Sequence, residues 1–415
     1  MILTILFLLS SLPLCAQGPQ WIVYNTGNSG LPSNYISYIA VDHNNFVWIA
    51  TPSGLVKFKN SIWSVYNTSN SGIPSNNVSG ISFDSLNNVW ISTIDSGAAM
   101  FDGTNWNVYD TSNSKIRNNQ LSCVYIDPLD VKWFGTGGVS KYDGMNWTNY
   151  HALNSNIPSA VILSVTSRNN EIWVSSYNRG IGRLIDTTWT KFTQANSPLP
   201  DDYTKVIQKD HQNNIWVGME TGGIAVISEN NEWELINSFN SGIPSNSITE
   251  LLLTPQVKWV GTLAHGAGRL IDTTWTIFNN QNSPIPSFSI SGLALDSNGN
   301  TWIGTPSGIA VFNENGIVSV RSISNEIPKD FILHQNYPNP FNPSTTITFD
   351  ISNRSSMQLS IYDNTGKLIK VLLNAEVHPG SHKVIFNSKE LSSGIYFYTL
   401  KNSLVTISKR MVLLK

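Results

Sequence analysis

Residues 70–110 read NSGIPSNNVSGISFDSLNNVWISTIDSGAAMFDGTNWNVYD, and the fold follows from the way this text returns along the chain. NSGIPSN recurs unchanged at 240–246. Relatives of it stand at 28–34 (NSGLPSN), 113–119 (NSKIRNN), 154–160 (NSNIPSA), 196–202 (NSPLPDD) and 282–288 (NSPIPSF). All 14 tryptophans fall into two interleaved series. Trp48, Trp90, Trp133, Trp173, Trp216, Trp259 and Trp302 are 40 to 43 residues apart; Trp21, Trp63, Trp106, Trp147, Trp189, Trp233 and Trp275 are 41 to 44 apart. A period of about 40 to 45 residues with several short apolar runs is the signature of β-propeller blades. GRLIDTTWTKF (182–192) and GRLIDTTWTIF (268–278) differ at one position in eleven, which marks internal duplication.

Within one period, VSGISFD, VWIST, AAMFD and NWNVYD read as four strands, A to D, separated by Gly and polar turns. NSGIPSN then crosses from strand D of one blade to strand A of the next. Its Asn-Ser-Gly is expected to bend the chain, its Leu or Ile to pin the crossing to the core, and its Pro to fix φ. Asp42, Asp84, Asp127, Asp210 and Asp296 each stand six residues before a strand-B tryptophan, where an Asp caps a turn by accepting from nearby amides. DSNGN at 296–300 resembles half a calcium loop, but Ser307 occupies the place of its bidentate Glu, so a turn cap is expected and no metal. Seven strand sets start near Ile36, Val78, Leu121, Val161, Tyr203, Ile248 and Ile290. The seventh is expected to borrow Trp21–Tyr24 as its strand D, with residues 317–320 as the alternative.

The first residues, MILTILFLLSSLPLCAQ, read as a signal peptide of residues 1–16 cleaved after Ala16, too short to be kept as a membrane span. Cys15 raises the alternative of a lipoprotein, against which the bulky Leu14 argues. Cys123 is then the one remaining cysteine, in the apolar run LSCVYI. Charged residues make up 13% of the chain. Residues 331–415 hold nine Lys/Arg and four Asp/Glu, or +5, which leaves 16 basic and 23 acidic residues, or −7, in the first 330. Neither part has the dense basic stripe that nucleic acid or an anionic membrane requires.

The unit GLPSN…I..D…N.VWI.T..GL..F resembles the two-component-regulator propeller repeat, over about residues 20–320. From Ile327 the tryptophans stop, and alternating runs between Gly, Asn and Pro turns predict a small antiparallel, Ig-like sandwich. This segment resembles the type A sorting domain of the type IX secretion system in YPNPFNPST (337–345), in Gly394-Ile395-Tyr396 and in its basic, apolar end. The resemblance implies export by the signal peptide, passage through the outer membrane on the type IX machinery, and a secreted or surface location. It assigns the sorting signal to Tyr337, Pro338, Asn339, Pro340, Gly394, Lys409, Arg410 and Lys415. The expected organisation is a signal peptide, an all-β chain with a seven-bladed propeller at 18–325, and the sorting domain at 327–415.

HExxH, GxSxG, Walker and GxGxxG motifs are absent from the sequence, and the seven histidines show no metal-ligand spacing, so no cofactor is expected. Every tryptophan sits at a repeat position and is assigned to blade packing. Candidates for binding are therefore sought where repeats differ, on the face shared by the D-to-A crossings and B-to-C turns. The longer B-to-C turns carry Asp95, Tyr177, Arg179, Glu220 and His265, while Asp202 and Tyr203 are read as replacing the usual Ser-Asn of the crossing. Together they suit a glycan or peptide partner held without catalysis. Asp202 and Glu220 as the carboxylate pair of a hydrolase or lyase, and a purely architectural surface role, are the alternatives. Asp-Ser-Leu (84–86) and Asp-Thr-Thr (186–188 and 272–274) resemble O-glycosylation sites, or serve only as turns.

Overall fold

The computed structural model describes residues 20–158, 161–314, 321–324, 331–353, 355–377, 379–388, 391–402 and 405–415. The signal-peptide expectation and the alternative closing strand at 317–320 lie outside the described residues. Two compact units emerge, one of Trp21–Asn313 and one that includes Glu314–Lys415. The sequence had placed this boundary near residue 326, yet Arg321–Ser324 pairs with Gly380–Asn387 and so joins the C-terminal unit.

Trp21–Asn313 is a β-propeller. Its described strands form seven four-stranded antiparallel sheets, six of them in the order A-B-C-D. The seventh joins Gly292–Leu295, Thr301–Thr305 and Gly308–Phe312 to Trp21–Tyr24, with Trp21 opposite Phe312. The strands B, such as Val47–Thr51 and Val89–Thr93, are buried along their whole length, because both faces of each sheet pack on neighbouring sheets. This is why VWIST reads as an unbroken apolar run. At the crossings, Leu31, Ile73, Ile116, Ile157, Leu199, Ile243 and Ile285 are all buried, as the pinning role requires. The chain turns at Asn-Ser-Gly as expected, and the glycine is also needed for space: a Cβ on Gly72 or Gly242 of NSGIPSN would lie 3.0 or 2.9 Å from that of Trp106 or Trp275, and one on Gly30 of NSGLPSN 2.4 Å from that of Trp63.

Hydroxyl groups join successive blades. Ser79 Oγ donates to Leu121 O (2.8 Å), Thr249 Oγ1 to Ile290 O (2.7 Å) and Ser291 Oγ to Ile36 O (2.5 Å). The last of these links blade 7 to blade 1, as do the Ile36 N–H on Thr305 O and the Ser297 N–H on Asn45 Oδ1. The wheel is therefore closed by hydrogen bonds as well as by the shared strand.

The recurrent Asp does more than cap its turn. Asp210 Oδ1 accepts from the Gln212 and Asn214 amides, while Oδ2 accepts from Trp216 Nε1 at 2.9 Å. The same indole bond joins Asp42 to Trp48, Asp84 to Trp90, Asp127 to Trp133 and Asp296 to Trp302, at 2.9 to 3.0 Å. Both oxygens of Asp296 are thus engaged by its own turn and indole. An aspartate turn lets the tryptophan be buried without an orphaned N–H. Asp210→Ala strands that indole and two amides, so it should cost about 2 to 3 kcal/mol in urea denaturation. A change below about 0.5 kcal/mol would show that water replaces the carboxylate freely.

The C-terminal unit packs two four-stranded sheets face to face. One runs Arg321–Ser324, Gly380–Asn387, Ser344–Ile351 and Ile332–Leu333; the other runs Leu368–Val377, Ser355–Tyr362, Gly394–Lys401 and Thr406–Leu413. Its core includes Phe341, Ile347, Phe349, Leu359, Ile361, Phe386, Tyr398 and Met411.

Candidate functional site

The D-to-A crossings and B-to-C turns share a face because they are bonded to one another. In the longer turns Gly97, Gly180, Gly223 and Gly266 adopt φ of 72° to 82°. Their N–H groups donate at 2.8 to 3.0 Å to the carbonyls of Asn119, Asp202, Asn246 and Phe288 in the next crossing. A Cβ on Gly180 would lie 2.0 Å from Phe192 O, so the turn is closed to other residues. The first residue of each turn is held too: Tyr177 N–H donates to Val161 O at 2.9 Å and Glu220 N–H to Tyr203 O at 2.8 Å.

This scaffold opens a cleft of about 480 Å³ between blades 4 and 5, lined by Tyr177, Gln194, Pro200, Asp201, Tyr203, Glu220 and Thr221. Three of the sequence candidates, Tyr177, Tyr203 and Glu220, meet here. The two phenol rings stand 5.4 Å apart at 88°, an aromatic corner. Tyr177 is 51% and Tyr203 43% exposed, whereas other tyrosines such as Tyr66, Tyr109 and Tyr150 pack against the wheel's tryptophans.

The charges in the cleft are largely engaged from within. Lys205 Nζ lies 2.5 Å from Glu220 Oε2. Asp201 is buried and accepts from the Tyr203 amide through Oδ1 and from the Thr221 amide and hydroxyl through Oδ2, at 2.7 to 2.9 Å. Asp202 is outside the cleft lining, and its Oδ1 accepts from the Gln194 amide at 2.9 Å. Asn34, Asn76, Asn119 and Asn246 make that same bond eight residues back in their own crossings. It is Asp201-Asp202, therefore, and not Asp202-Tyr203, that replaces Ser-Asn: the sequence reading was one residue out of register. Asp201, Gln194, Pro200 and Thr221 were missed, although the doubled Asp in NSPLPDD was a visible signal.

The remaining candidates are dispersed. Arg179 is exposed on the Tyr177 turn without lining the cleft. His265 is exposed on blade 6, its amide donating to Thr262 Oγ1 at 3.1 Å. Asp95 lies on blade 2, where Asn77 Nδ2 donates to it at 3.4 Å. Partial burial pushes the Asp95 carboxyl up, but hydrogen bonds from Ser75, Ser96 and Asn77 outweigh this and hold it below the usual range.

A second polar group lies at the centre of the wheel. Tyr38, Cys123 and Glu250 occupy the same register position on the innermost strands of blades 1, 3 and 6, each opposite the residue two beyond the strand-B tryptophan. Gly292 holds that position between Tyr38 and Glu250, and Gly80 between Tyr38 and Cys123. Burial pushes the Cys123 thiol up to about 12. It raises the Tyr38 phenol as well, with help from the Glu250 charge. The Glu250 carboxyl, retaining some surface yet enclosed by protein, is raised to about 8 by burial.

In the C-terminal unit, the stretch around Tyr337, Pro338, Asn339 and Pro340 has cis peptides at 337–338, 339–340 and 342–343. Buried Asn336 anchors it: its N–H donates to Tyr398 Oη, and its Nδ2 donates to Pro338 O and Thr345 Oγ1, all at 2.8 to 3.0 Å. The same stretch grips the last strand. Val412 N–H donates to Asn339 Oδ1, Phe341 N–H to Val412 O, Leu414 N–H to Phe341 O and Gln335 Nε2 to Arg410 O, at 2.8 to 3.0 Å. Gly394 stands opposite Leu413, Lys409 opposite Tyr398 and Arg410 opposite Phe397; the Lys415 N–H donates to Ser393 Oγ at 2.9 Å.

Comparison with known proteins agrees with both units. Residues 335–414 match the family of secretion system C-terminal sorting domains, and residues 30–53 the two component regulator propeller. No curated protein matches the chain. Among solved structures, the extracellular domain of a hybrid two component system from B. thetaiotaomicron aligns with a TM-score of 0.62 at 18% identity, over 95% of this chain and 57% of that one. That of a one component system from the same organism gives 0.61 at 16%, over 96% and 59%. The chain thus spans somewhat more than half the length of each. Virginiamycin B lyase from Staphylococcus aureus gives 0.56 at 16%, over 71% and 99%. Such identities establish the fold alone. No helix among the described residues is long and apolar enough to cross a membrane. The chain is a secreted or cell-surface protein in which a propeller bearing the two component regulator repeat is followed by a secretion system C-terminal sorting domain.

Proposed function

We propose that the propeller is a non-catalytic binding module that holds a neutral glycan in the cleft between blades 4 and 5. The observation that carries this reading is the pair of half-exposed tyrosines set at a right angle beside amide and hydroxyl groups. The C–H face of a sugar ring stacks on one phenol while its hydroxyls reach Gln194, Thr221 and Glu220. Glu220 is paired with Lys205 and both oxygens of Asp201 accept from neighbouring loop donors, so neither carboxylate is free to pair with a cationic ligand. A hydrolase pair of Asp202 and Glu220 is disfavoured, because Asp202 serves as a crossing cap and Glu220 as the partner of Lys205.

Titration of the full chain with neutral oligosaccharides should show saturable binding. Tyr177→Ala and Tyr203→Ala should each weaken it about tenfold or more, the loss of about 1.4 kcal/mol of stacking. Binding that both variants leave intact would place the ligand elsewhere. Saturable binding of peptides but of no sugar, lost in the same variants, would replace the glycan with a peptide.

A further inference from the structure

The two sheets of the sorting domain present unlike outer faces. On the sheet containing Ser344–Ile351 and Gly380–Asn387, the outward positions of the first strand are Ser344, Thr346, Thr348 and Asp350, and the exposed Ile332 and Ile385 stand apart from each other, opposite Asp350 and Thr346. On the other sheet, one row across the strands reads Leu368, Tyr362, Phe397 and Arg410, each opposite the next, and Ile395 faces Val412 beside it. Leu368 is 49%, Ile395 44% and Phe397 38% exposed. An apolar strip of this kind on a sheet marks an interaction surface. Strand addition is closed at this end of the sheet, because the outer edge of the last strand from Arg410 to Leu414 is bonded to Gln335, Asn339 and Phe341.

We infer that this outer face, with Phe397 and Ile395 as anchors and Arg410 at its margin, is what the secretion machinery grips, through an apolar patch with an acidic rim. Two observations point to that occupant. The strip lies within residues 335–414, the segment that matches the sorting family. The +5 balance of residues 331–415 favours an acidic partner. The sorting signal is then a folded face that unites strands far apart in sequence, not a linear tail.

Surface delivery of the full chain in its own host tests this. Ile395→Thr/Phe397→Thr and Arg410→Glu should each cut the delivered fraction about tenfold, the loss expected for an anchor. The folded protein should accumulate inside the cell with an unchanged Tm. Ile385→Thr, an exposed position on the opposite sheet, should be delivered as the parent is. Parent-level delivery of the first two variants overturns the inference. So does a fall in their Tm, since it would mean that the protein itself covers the strip. The glycan-binding proposal is independent of either result.

Discussion

Arg168→Ala should destabilise the propeller by about 3 to 5 kcal/mol, the cost of stranding a buried ionic network. Blade 4 has no Asp before its strand-B tryptophan. Glu171 Oε2 accepts from Trp173 Nε1 at 2.8 Å in its place, and its charge is compensated by Arg168 at 3.0 Å and, more distantly, by Arg183 at 3.8 Å. Arg168 is 2% exposed, and its guanidinium donates to Glu171 Oε2 (3.0 Å), Ser228 O (2.8 Å) and Asn231 Oδ1 (3.1 Å) and lies 5.1 Å from the Trp173 ring centroid. Ser228 and Asn231 belong to blade 5, so the side chain ties two blades together. Arg168→Lys should recover only part of the loss, since an ammonium cannot reach three acceptors with a planar fork. Urea denaturation of the purified protein measures both. An alanine variant within about 1 kcal/mol of the parent would mean that the network merely breaks even with its desolvation.

Glu250→Gln should stabilise the propeller increasingly as pH rises from 5 to 8. The folded carboxyl is raised to about 8, while the unfolded one titrates near its ordinary 4.5. Between those values the unfolded chain holds fewer protons at this group than the folded one, so stability falls with pH. Below 4.5 both states are protonated and the residue is silent; above 8 both are ionised and the penalty is constant. The advantage of the glutamine variant should therefore grow by about 1.4 kcal/mol per pH unit across the window. Comparing urea midpoints of parent and variant at several pH values isolates this group from all others. Parallel profiles would show that water in the lumen keeps Glu250 ionised.

The wheel was legible in the sequence because its constraints are local and repeated. A buried strand needs an unbroken apolar run, and seven copies of VWIST-like text at one period leave little else to propose. Asp six residues before Trp was visible as a pattern, but not its indole bond, which exists only after the turn folds the two residues together. Asp202 was misread for a related reason: a crossing has no internal period, and only the shared bond to the amide eight residues back fixes its register. Arg168 gave no signal, because its partners on blade 5 lie 60 and 63 residues away. Of the binding candidates, Tyr177 and Glu220 were found because they break the repeat and lie on adjacent blades, whereas Tyr203 came in through the misread register, since Tyr35 holds the same position after its own crossing. Asp95 and His265 break it equally well but project from other blades, a separation that linear text does not display.

Trp21–Tyr24 is the first described strand, and it pairs with Gly308–Phe312, so the opening and final segments of the propeller share one sheet. A chain that folds as it is made from its N-terminus must keep this first strand without a mate until nearly 290 residues have followed it. Until then blade 7 lacks its outermost strand, and the hydroxyl links from blade 7 to blade 1 have nothing to join. Completion of the wheel thus waits for its last blade, and removing either end of the propeller opens the same sheet.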